Sequence, residues 1–371
     1  VIVSPSEQAA KVAQTLPDRP TVEHVVAMEA DAVDDLSTAI TFESLGDGVD
    51  ASHDDQLAAR RAAMQADDTV TLIYTSGTTG NPKGVILSHR NFLSNVASGL
   101  TVLRITQDDL FLSFLPLCHV FERMAGHYLP MVAGACVAYS RGLRYLVDEL
   151  REVSPTVMAC VPRFYESLQE RVLKNVESAP AARQRVFAWA MAQGMARSAR
   201  VRGGSSVGPL LALKARLAHK LVFHKLHATV GGRLRFFISG GAPLPVSTAE
   251  FFHAAGILVL EGYGLTETSP VIAVNGENDY RLGTVGRPIP DIEVSIADDG
   301  EILTRGPHVM QGYYGLPDET AEAISADGWF HTGDLGDLAD GYLRITGRKK
   351  HIFKLSNGKY IAPEPVENAL K

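Results

Sequence analysis

From residue 69 to about residue 275, short apolar runs alternate with longer stretches of helical period, and this alternation restricts the chain more than any other feature. Thr69-Val-Thr-Leu-Ile-Tyr74 reads as a buried strand, β-branched, apolar and short. Leu110–Leu115, Ala133–Tyr139, Thr156–Cys160, Leu234–Ser239 and Ile257–Leu260 repeat the type. Strands spaced by helices build βα units around a mostly parallel sheet. After about Gly283 the texture changes. Asp291–Ile296 and Glu301–Thr304 flank Asp298-Asp299-Gly300, a hairpin signal, and Gly341–Thr346 is a further alternating strand. This later segment reads as antiparallel and barrel-like. Before residue 69 only two short strand-like runs stand out, Val22–Met28 and Ala39–Leu45, in acidic, alanine-rich surroundings.

Composition removes several classes. Hydrophobic residues are 46% and charged residues 21% of the 371, which is globular and not disordered. At roughly 150 residues per domain the length fits about two to three domains. No apolar run approaches the ~18 residues that span a bilayer, and Val1-Ile2-Val3-Ser4 lacks the basic start and apolar stretch of a signal peptide. Three scattered cysteines, Cys118, Cys136 and Cys160, are no disulfide framework, so a reducing, cytoplasmic setting is expected. A net charge of −7 argues against a nucleic-acid binder. The first residue is not Met and the chain stops just after a helix start at Ala362-Pro363-Glu364, so it reads as a piece of a larger protein.

The most informative string is Tyr74-Thr75-Ser76-Gly77-Thr78-Thr79-Gly80-Asn81-Pro82-Lys83-Gly84. Gly77, Gly80 and Gly84 let the backbone approach a ligand and present its N–H groups. The hydroxyls of Thr75, Ser76, Thr78 and Thr79 can donate to phosphate oxygens, and Lys83 adds a point charge for a polyphosphate. No Gly-Lys-Ser/Thr closes the string, so it is not a Walker A loop. Gly204-Ser205-Ser206-Val207-Gly208 fits the G-x-S-x-G pattern of hydrolases but has no strand before it and reads as a linker. HExxH, CxxC and G-x-G-x-x-G do not occur, so zinc and dinucleotide chemistry have no support. Cys118 and His119 are adjacent, which on an extended chain points them apart and rules out a nucleophile dyad. Eleven Lys/Arg and no Asp or Glu fall between Ala181 and Phe236. This basic stretch can lie on an anionic membrane, attract the phosphates of a ligand, or be a solvated face.

The Tyr74–Gly84 string resembles the phosphate loop of the adenylate-forming superfamily: acyl-CoA synthetases, luciferases and peptide-synthetase adenylation domains. Further strings follow in that family's order. Gly262-Tyr263-Gly264-Leu265-Thr266-Glu267-Thr268 resembles the adenine- and magnesium-binding motif, and Ile238-Ser239-Gly240-Gly241-Ala242-Pro243 the strand-loop lining the adenine and acyl pockets. Trp329-Phe330-His331-Thr332-Gly333-Asp334 resembles the ribose motif and Gly347-Arg348-Lys349-Lys350 the hinge. Leu115–Arg123, with His119, resembles the family's histidine motif. The resemblance runs from about residue 69 to the end.

The resemblance implies an α/β fold: residues 1–282 form the adenylation subdomains, 283–347 a small distorted antiparallel barrel, and 348–371 the hinge and start of a small C-terminal domain. It implies two half-reactions. A carboxylate attacks the α-phosphate of ATP, giving acyl-adenylate and pyrophosphate; the thiol of coenzyme A then displaces AMP. Lys83, His119, Thr266 and Glu267 are the implied catalytic set, with Glu267 holding Mg²⁺. Thr75, Ser76, Gly77, Thr78, Thr79, Gly80, Gly240, Gly241, Ala242, Glu261, Gly262, Tyr263, Gly264, Asp334 and Arg348 join Lys83 and Thr266 at ATP: Tyr263 as a flat face for adenine, Asp334 for both ribose hydroxyls. Lys350 takes the hinge position. Pro116–Arg123, Val161–Glu166 and the long helical stretch after it look like long-chain fatty acyl-CoA synthetases of actinobacterial type, so the acid is expected to be a long-chain fatty acid and the basic stretch 181–235 to offer a peripheral contact at the inner membrane face. The alternatives are a relative that loads a carrier protein and a nucleotide- and acyl-binding module without catalysis. The family's late C-terminal lysine lies beyond Lys371, so full adenylation activity is not expected of this chain alone.

Overall fold

The computed structural model describes residues 2–3, 6–19, 21–28, 39–46, 52–75, 81–351, 353–354 and 360–361. The chain divides into two compact units, Val1–Gln65 and Ala66–Lys371. In the first, Ile2–Val3, Val25–Ala27 and Ala39–Thr41 form a parallel sheet. The helix Ser6–Thr15 packs Ala9 and Val12 against Val25 and Ala27.

The second unit is organised around a seven-stranded sheet. Its order is Arg287–Pro288, Val271–Val274, Leu258–Gly264, Phe236–Ser239, Val157–Cys160, Leu110–Ser113, Cys136–Tyr139. The last five run parallel, as the alternation of apolar runs and helices predicts, and the first two are antiparallel additions at one edge. The inner strands Leu110–Ser113, Val157–Cys160 and Phe236–Ser239 are covered on both faces, which is why they are apolar instead of alternating, whereas the edge strand Cys136–Tyr139 leaves Cys136 and Tyr139 exposed. Phe111, Val157, Ala159, Phe236, Ile238 and Leu260 face one core. Leu112, Met158, Cys160, Phe237 and Val259, one residue out of phase, face the other.

The strand read at Thr69–Tyr74 exists, as Thr69–Thr75, but it is not buried as expected, since only Ile73 is buried and Tyr74 is exposed, and it lies outside the parallel sheet. It pairs antiparallel with Lys83–Ser88, which in turn pairs with Gly312–Tyr313. A short β-branched run is the same for either pairing sense; the return strand seven residues on decides it. The phosphate-loop string is thus the connection of a β-hairpin closed by the Thr75–Lys83 pair. Gly204–Gly208 lies in the exposed connection between the helices Ala181–Arg202 and Pro209–Ala218, with no strand before it, as a linker should.

A four-stranded antiparallel sheet follows: Glu293–Ile296, Glu301–Arg305, Phe330–Ala339 and Tyr342–Arg348, in that order. Ala339 pairs with Tyr342 across Asp340-Gly341, whose φ angles of 54° and 80° are those of a primed two-residue turn. Register shifts between Glu301 and Leu303 and between Leu335 and Gly336 curl the sheet.

Candidate active site

The carboxyl ends of the parallel strands converge on one cavity of about 830 Å³. Clefts in open α/β sheets form there because the connections leave in opposite directions. Pro116 and His119 enter from the loop after Leu110–Ser113, Val161 from the end of Val157–Cys160, Gly240 and Gly241 from the end of Phe236–Ser239, and Gly262–Gly264 from the last turn of the Leu258–Gly264 strand. The antiparallel sheet contributes His331, Thr332, Gly333, Asp334 and Arg348, and the hairpin contributes Thr75 and Lys83.

Of the residues the sequence singles out, Thr75, Lys83, His119, Gly240, Gly241, Gly262, Tyr263, Gly264, Thr266, Glu267, Asp334, Arg348 and Lys350 share this wall. Ala242 and Glu261 do not line it. Ser76, Gly77, Thr78, Thr79 and Gly80 lie outside the described residues. The cavity admits His119 but not its neighbour Cys118, and the two sit in a turn, not on an extended chain.

The glycines are there for space. A Cβ on Gly264 would meet the Pro270 carbonyl oxygen at 1.7 Å, and one on Gly240 would meet the Phe121 ring at 2.9 Å. Either side chain would force apart the elements that shape the cavity.

Asp334 is 4% exposed and held from two sides. Tyr263 Oη donates to its Oδ2 at 2.8 Å, and Arg348 Nε lies 3.0 Å from its Oδ1. Burial, then the adjoining Asp334 charge, pushes the Tyr263 phenol well above its usual range, so it stays a donor. Glu267 accepts from Tyr313 Oη at 2.9 Å through Oε1 alone. The same Tyr313 ring lies under the Lys83 ammonium, 4.9 Å from its centroid. Tyr313 therefore ties the predicted cation to the predicted carboxylate. Nothing in the local string Gly312-Tyr313-Tyr314 announces this, because the tie depends on pairing with Val85.

Further wall residues are not singled out individually by the sequence, although His331, Gly333 and Lys349 lie in the ribose-motif and hinge strings and Val120 and Glu122 in the histidine string. Glu301 takes Gly333 N–H at 2.9 Å and Lys349 Nζ at 2.9 Å, and His331 Nδ1 is 3.2 Å away. Burial alone would raise the Glu301 carboxyl, but Lys349 and His331 outweigh it and hold it below the usual range. Part of the wall is apolar: Leu103, Val120, Met124, Leu129 and Val274, with Gly99 among them. One carboxyl interrupts it. Glu122, 1% exposed, accepts Ser113 Oγ at 2.5 Å, and burial pushes it up to about 7.

The donor set can be tested against Mg²⁺. That ion takes one or two carboxylates together with phosphate oxygens and waters. Glu267 keeps Oε2 clear of the Tyr313 bond and faces the cavity, which fits such a site. Among the described residues no group of three or more His, Cys, Asp or Glu forms an all-protein metal cage.

A cavity that joins the Lys83 hairpin, a clamped aspartate and a stretch of apolar wall, on a parallel sheet followed by a curled antiparallel one, defines an adenylate-forming enzyme fold. The chain belongs to the AMP-binding enzyme family, which matches residues 1–314. That match includes the first 68 residues, where no motif is legible. The long-chain-fatty-acid–CoA ligase FadD15 of Mycobacterium bovis is 41% identical over 325 residues, 85% of this chain and 52% of that protein. The peroxisomal long chain acyl-CoA synthetase 6 of Arabidopsis thaliana is 40% identical over 319 residues, 81% of this chain and 44% of that protein. The chain thus spans about half the length of the curated relatives it matches. Among solved structures, a malonyl-CoA ligase ternary product complex with methylmalonyl-CoA and AMP superposes with a TM-score of 0.64 at 27% identity, covering 100% of this chain and 71% of that one. The o-succinylbenzoate CoA synthetase of Bacillus subtilis, in complex with its acyl-adenylate, gives 0.67 at 23% identity, covering 98% and 65%.

Proposed function

We propose that the protein carrying this chain is an ATP-dependent long-chain fatty acid–CoA ligase. The observation that carries the reading is one cavity lined by two chemically opposite sets of side chains, Lys83, Thr266, Glu267, Asp334 and Arg348 on one hand and Leu103, Met124, Leu129 and Val274 on the other. An acid with a long hydrocarbon tail and a nucleotide triphosphate need that polarity. The names of the relatives support the same substrate class.

Asp334, fixed by Tyr263 and Arg348, receives the ribose hydroxyls, and Tyr263 offers its ring face to adenine. Lys83 neutralises phosphate charge, and the Tyr313 ring beneath it restricts where the ammonium can sit. Thr266 donates to the α-phosphate. Glu267 would hold Mg²⁺, which would supply charge neutralisation on the polyphosphate. His119 steadies the carboxylate or the charge that grows on the α-phosphate as the carboxylate oxygen attacks and pyrophosphate leaves. Coenzyme A thiol then attacks the acyl carbonyl and AMP departs. Lys350, on the turn Lys349–His351, is the pivot between the two half-reactions. Residues 1–282, 283–347 and 348–371 are the corresponding functional segments.

The test is fatty-acid-dependent ATP–pyrophosphate exchange by protein expressed from the complete reading frame, over acids from acetate to a long saturated chain, with benzoate as control. Exchange rising toward long chains is the expected result. Exchange with acetate or benzoate alone would keep adenylation and remove the fatty acid. No exchange from a protein that binds ATP would leave a binding module.

A further inference from the structure

One carboxyl in the cavity wall has no part in either half-reaction. Glu122 is 1% exposed and lines the cavity among Val120, Met124, Ala125 and Leu129. Its Oε1 accepts Ser113 Oγ at 2.5 Å, and its Oε2 has no hydrogen-bond partner. Against the burial that raises it to about 7 stand only the Ser113 hydroxyl and the Phe114 amide, and no cation. Below neutral pH it is therefore mostly protonated. A buried carboxyl oxygen without a partner is costly, and an apolar side chain would close this wall without that cost.

The backbone is shaped around this carboxyl. The His119 carbonyl accepts Arg123 N–H at 3.0 Å and opens the helical stretch. Glu122–Tyr128 is π-helical, with Leu129 N–H reaching five residues back to the Met124 carbonyl. Such wide turns recur at functional sites. Gly126, on the next turn, leaves the room: a Cβ there would lie 2.9 Å from Glu122 Oε2 and closer still to Oε1. His119 and Glu122 both line the cavity, and three residues of helix advance about 4.5 Å. With the substrate carboxylate at His119, Glu122 meets the hydrocarbon a few carbons further on; this placement rests on the ligase reading. A plain saturated chain offers the carboxyl nothing. A hydroxyl on the chain offers both a donor and an acceptor, and a protonated carboxyl can answer both.

We propose that Glu122 is a specificity-determining residue whose Oε2 hydrogen-bonds a hydroxyl carried on the acyl chain near its carboxyl, so that long-chain β-hydroxy acids are taken in preference to plain acids of the same length. Ser113 fixes the other oxygen, so the free one stays turned to one position along the chain.

The experiment compares palmitic acid with its α-, β- and ω-hydroxy derivatives on protein expressed from the complete reading frame. Each acid is measured by kcat/KM in ATP–pyrophosphate exchange and by calorimetric binding. The β-hydroxy acid should be preferred to palmitic acid about tenfold, as one hydrogen bond to an otherwise unpaired buried group allows. The ratio between acids is the readout, because a loosened fold lowers both acids alike; circular dichroism checks the fold. Glu122→Leu should remove the preference. Glu122→Gln keeps a donor and an acceptor and should retain most of it. Gly126→Ala crowds the carboxyl and should shrink it. Equal wild-type kcat/KM and affinity for palmitic acid and its α- and β-hydroxy derivatives overturns the proposal, whatever the variants do. So does a preference confined to the ω-hydroxy acid, or a β-hydroxy preference that Glu122→Leu keeps. Absence of exchange with every acid counts against the ligase reading alone, since the binding ratio needs no chemistry and still decides.

Discussion

Glu261→Gln should make the protein's stability less sensitive to pH, and the size of the effect follows from where the carboxyl sits. Glu261 belongs to the strand Leu258–Gly264, is 8% exposed, and its Oε1 has no hydrogen-bond partner. Its register neighbour Ser239 is buried with an unpartnered Oγ as well. Burial pushes the carboxyl from 4.5 up to about 8, against the smaller opposing pull of the Leu244 amide. The folded pKa lies above the unfolded one, so the protonated group's contribution is complete below about pH 4.5. It is drawn down as pH rises and is gone once pH passes about 8. At about 1.4 kcal/mol for each unit of pKa, the whole change is roughly 4–5 kcal/mol. Glutamine keeps the shape and stays neutral. Urea unfolding followed by tryptophan fluorescence suits the measurement, because Trp189 packs on the same core face as Val259. Between about pH 5 and pH 8 the variant should gain roughly 4 kcal/mol on the wild type. Glu122, pushed up to about 7, titrates in the same window but cancels in the difference. A difference that stays flat with pH, or that shifts toward the wild type as pH rises, would refute the buried, proton-holding carboxyl.

Other changes probe the cavity and its frame. Asp334→Asn weakens the acceptor that Tyr263 and Arg348 hold, and calorimetry should show nucleotide affinity falling roughly ten- to hundredfold; unchanged affinity would remove Asp334 from the nucleotide site. Gly99→Leu fills the apolar part of the wall, where even a Cβ would lie 3.5 Å from both Leu129 Cδ1 and Met124 Cε. Exchange with long acids should drop about tenfold or more relative to short ones, and an unaltered chain-length profile would place the tail elsewhere. Asp109→Ala leaves Arg235, a third exposed, without the carboxylate 2.6 Å away, and Thr156 Oγ1 without its 2.7 Å acceptor. A loss of about 3 kcal/mol by urea unfolding is expected, and a loss below about 1 kcal/mol would mean water replaces the carboxylate.

The legible parts of this protein are those written in contiguous residues. Gly262-Tyr263-Gly264-Leu265-Thr266-Glu267 announces itself because backbone approach and ligand chemistry demand those types within a few positions. Ile238–Pro243 and Trp329–Asp334 do the same. The inner parallel strands are legible because burial on both faces leaves them apolar, and Asp340-Gly341 because a tight turn demands positive φ. Thr69–Thr75 is legible as a strand but not as half of a hairpin, since the same side chains suit either sheet. Glu261 is the complementary case. Its side chain is buried away from the cavity wall, because alternation along the strand sends Glu261 to the face opposite Leu260 and Gly262.

What the sequence determined alone is the family, the order of the elements and most of the polar end of the cavity. The tertiary structure decided which distant residues meet. Tyr313 lies 46 residues from Glu267 and joins it to Lys83 only because Gly312–Tyr313 adds to the hairpin. The apolar part of the wall is drawn from Gly99, Met124 and Val274 on three separate elements, and the leucines of Pro209–Ala218 are exposed among the described residues. Periodicity along a chain records that a side is apolar. Whether that side meets a core, a substrate or a membrane depends on long-range contacts, whose energy is not carried by neighbouring residues.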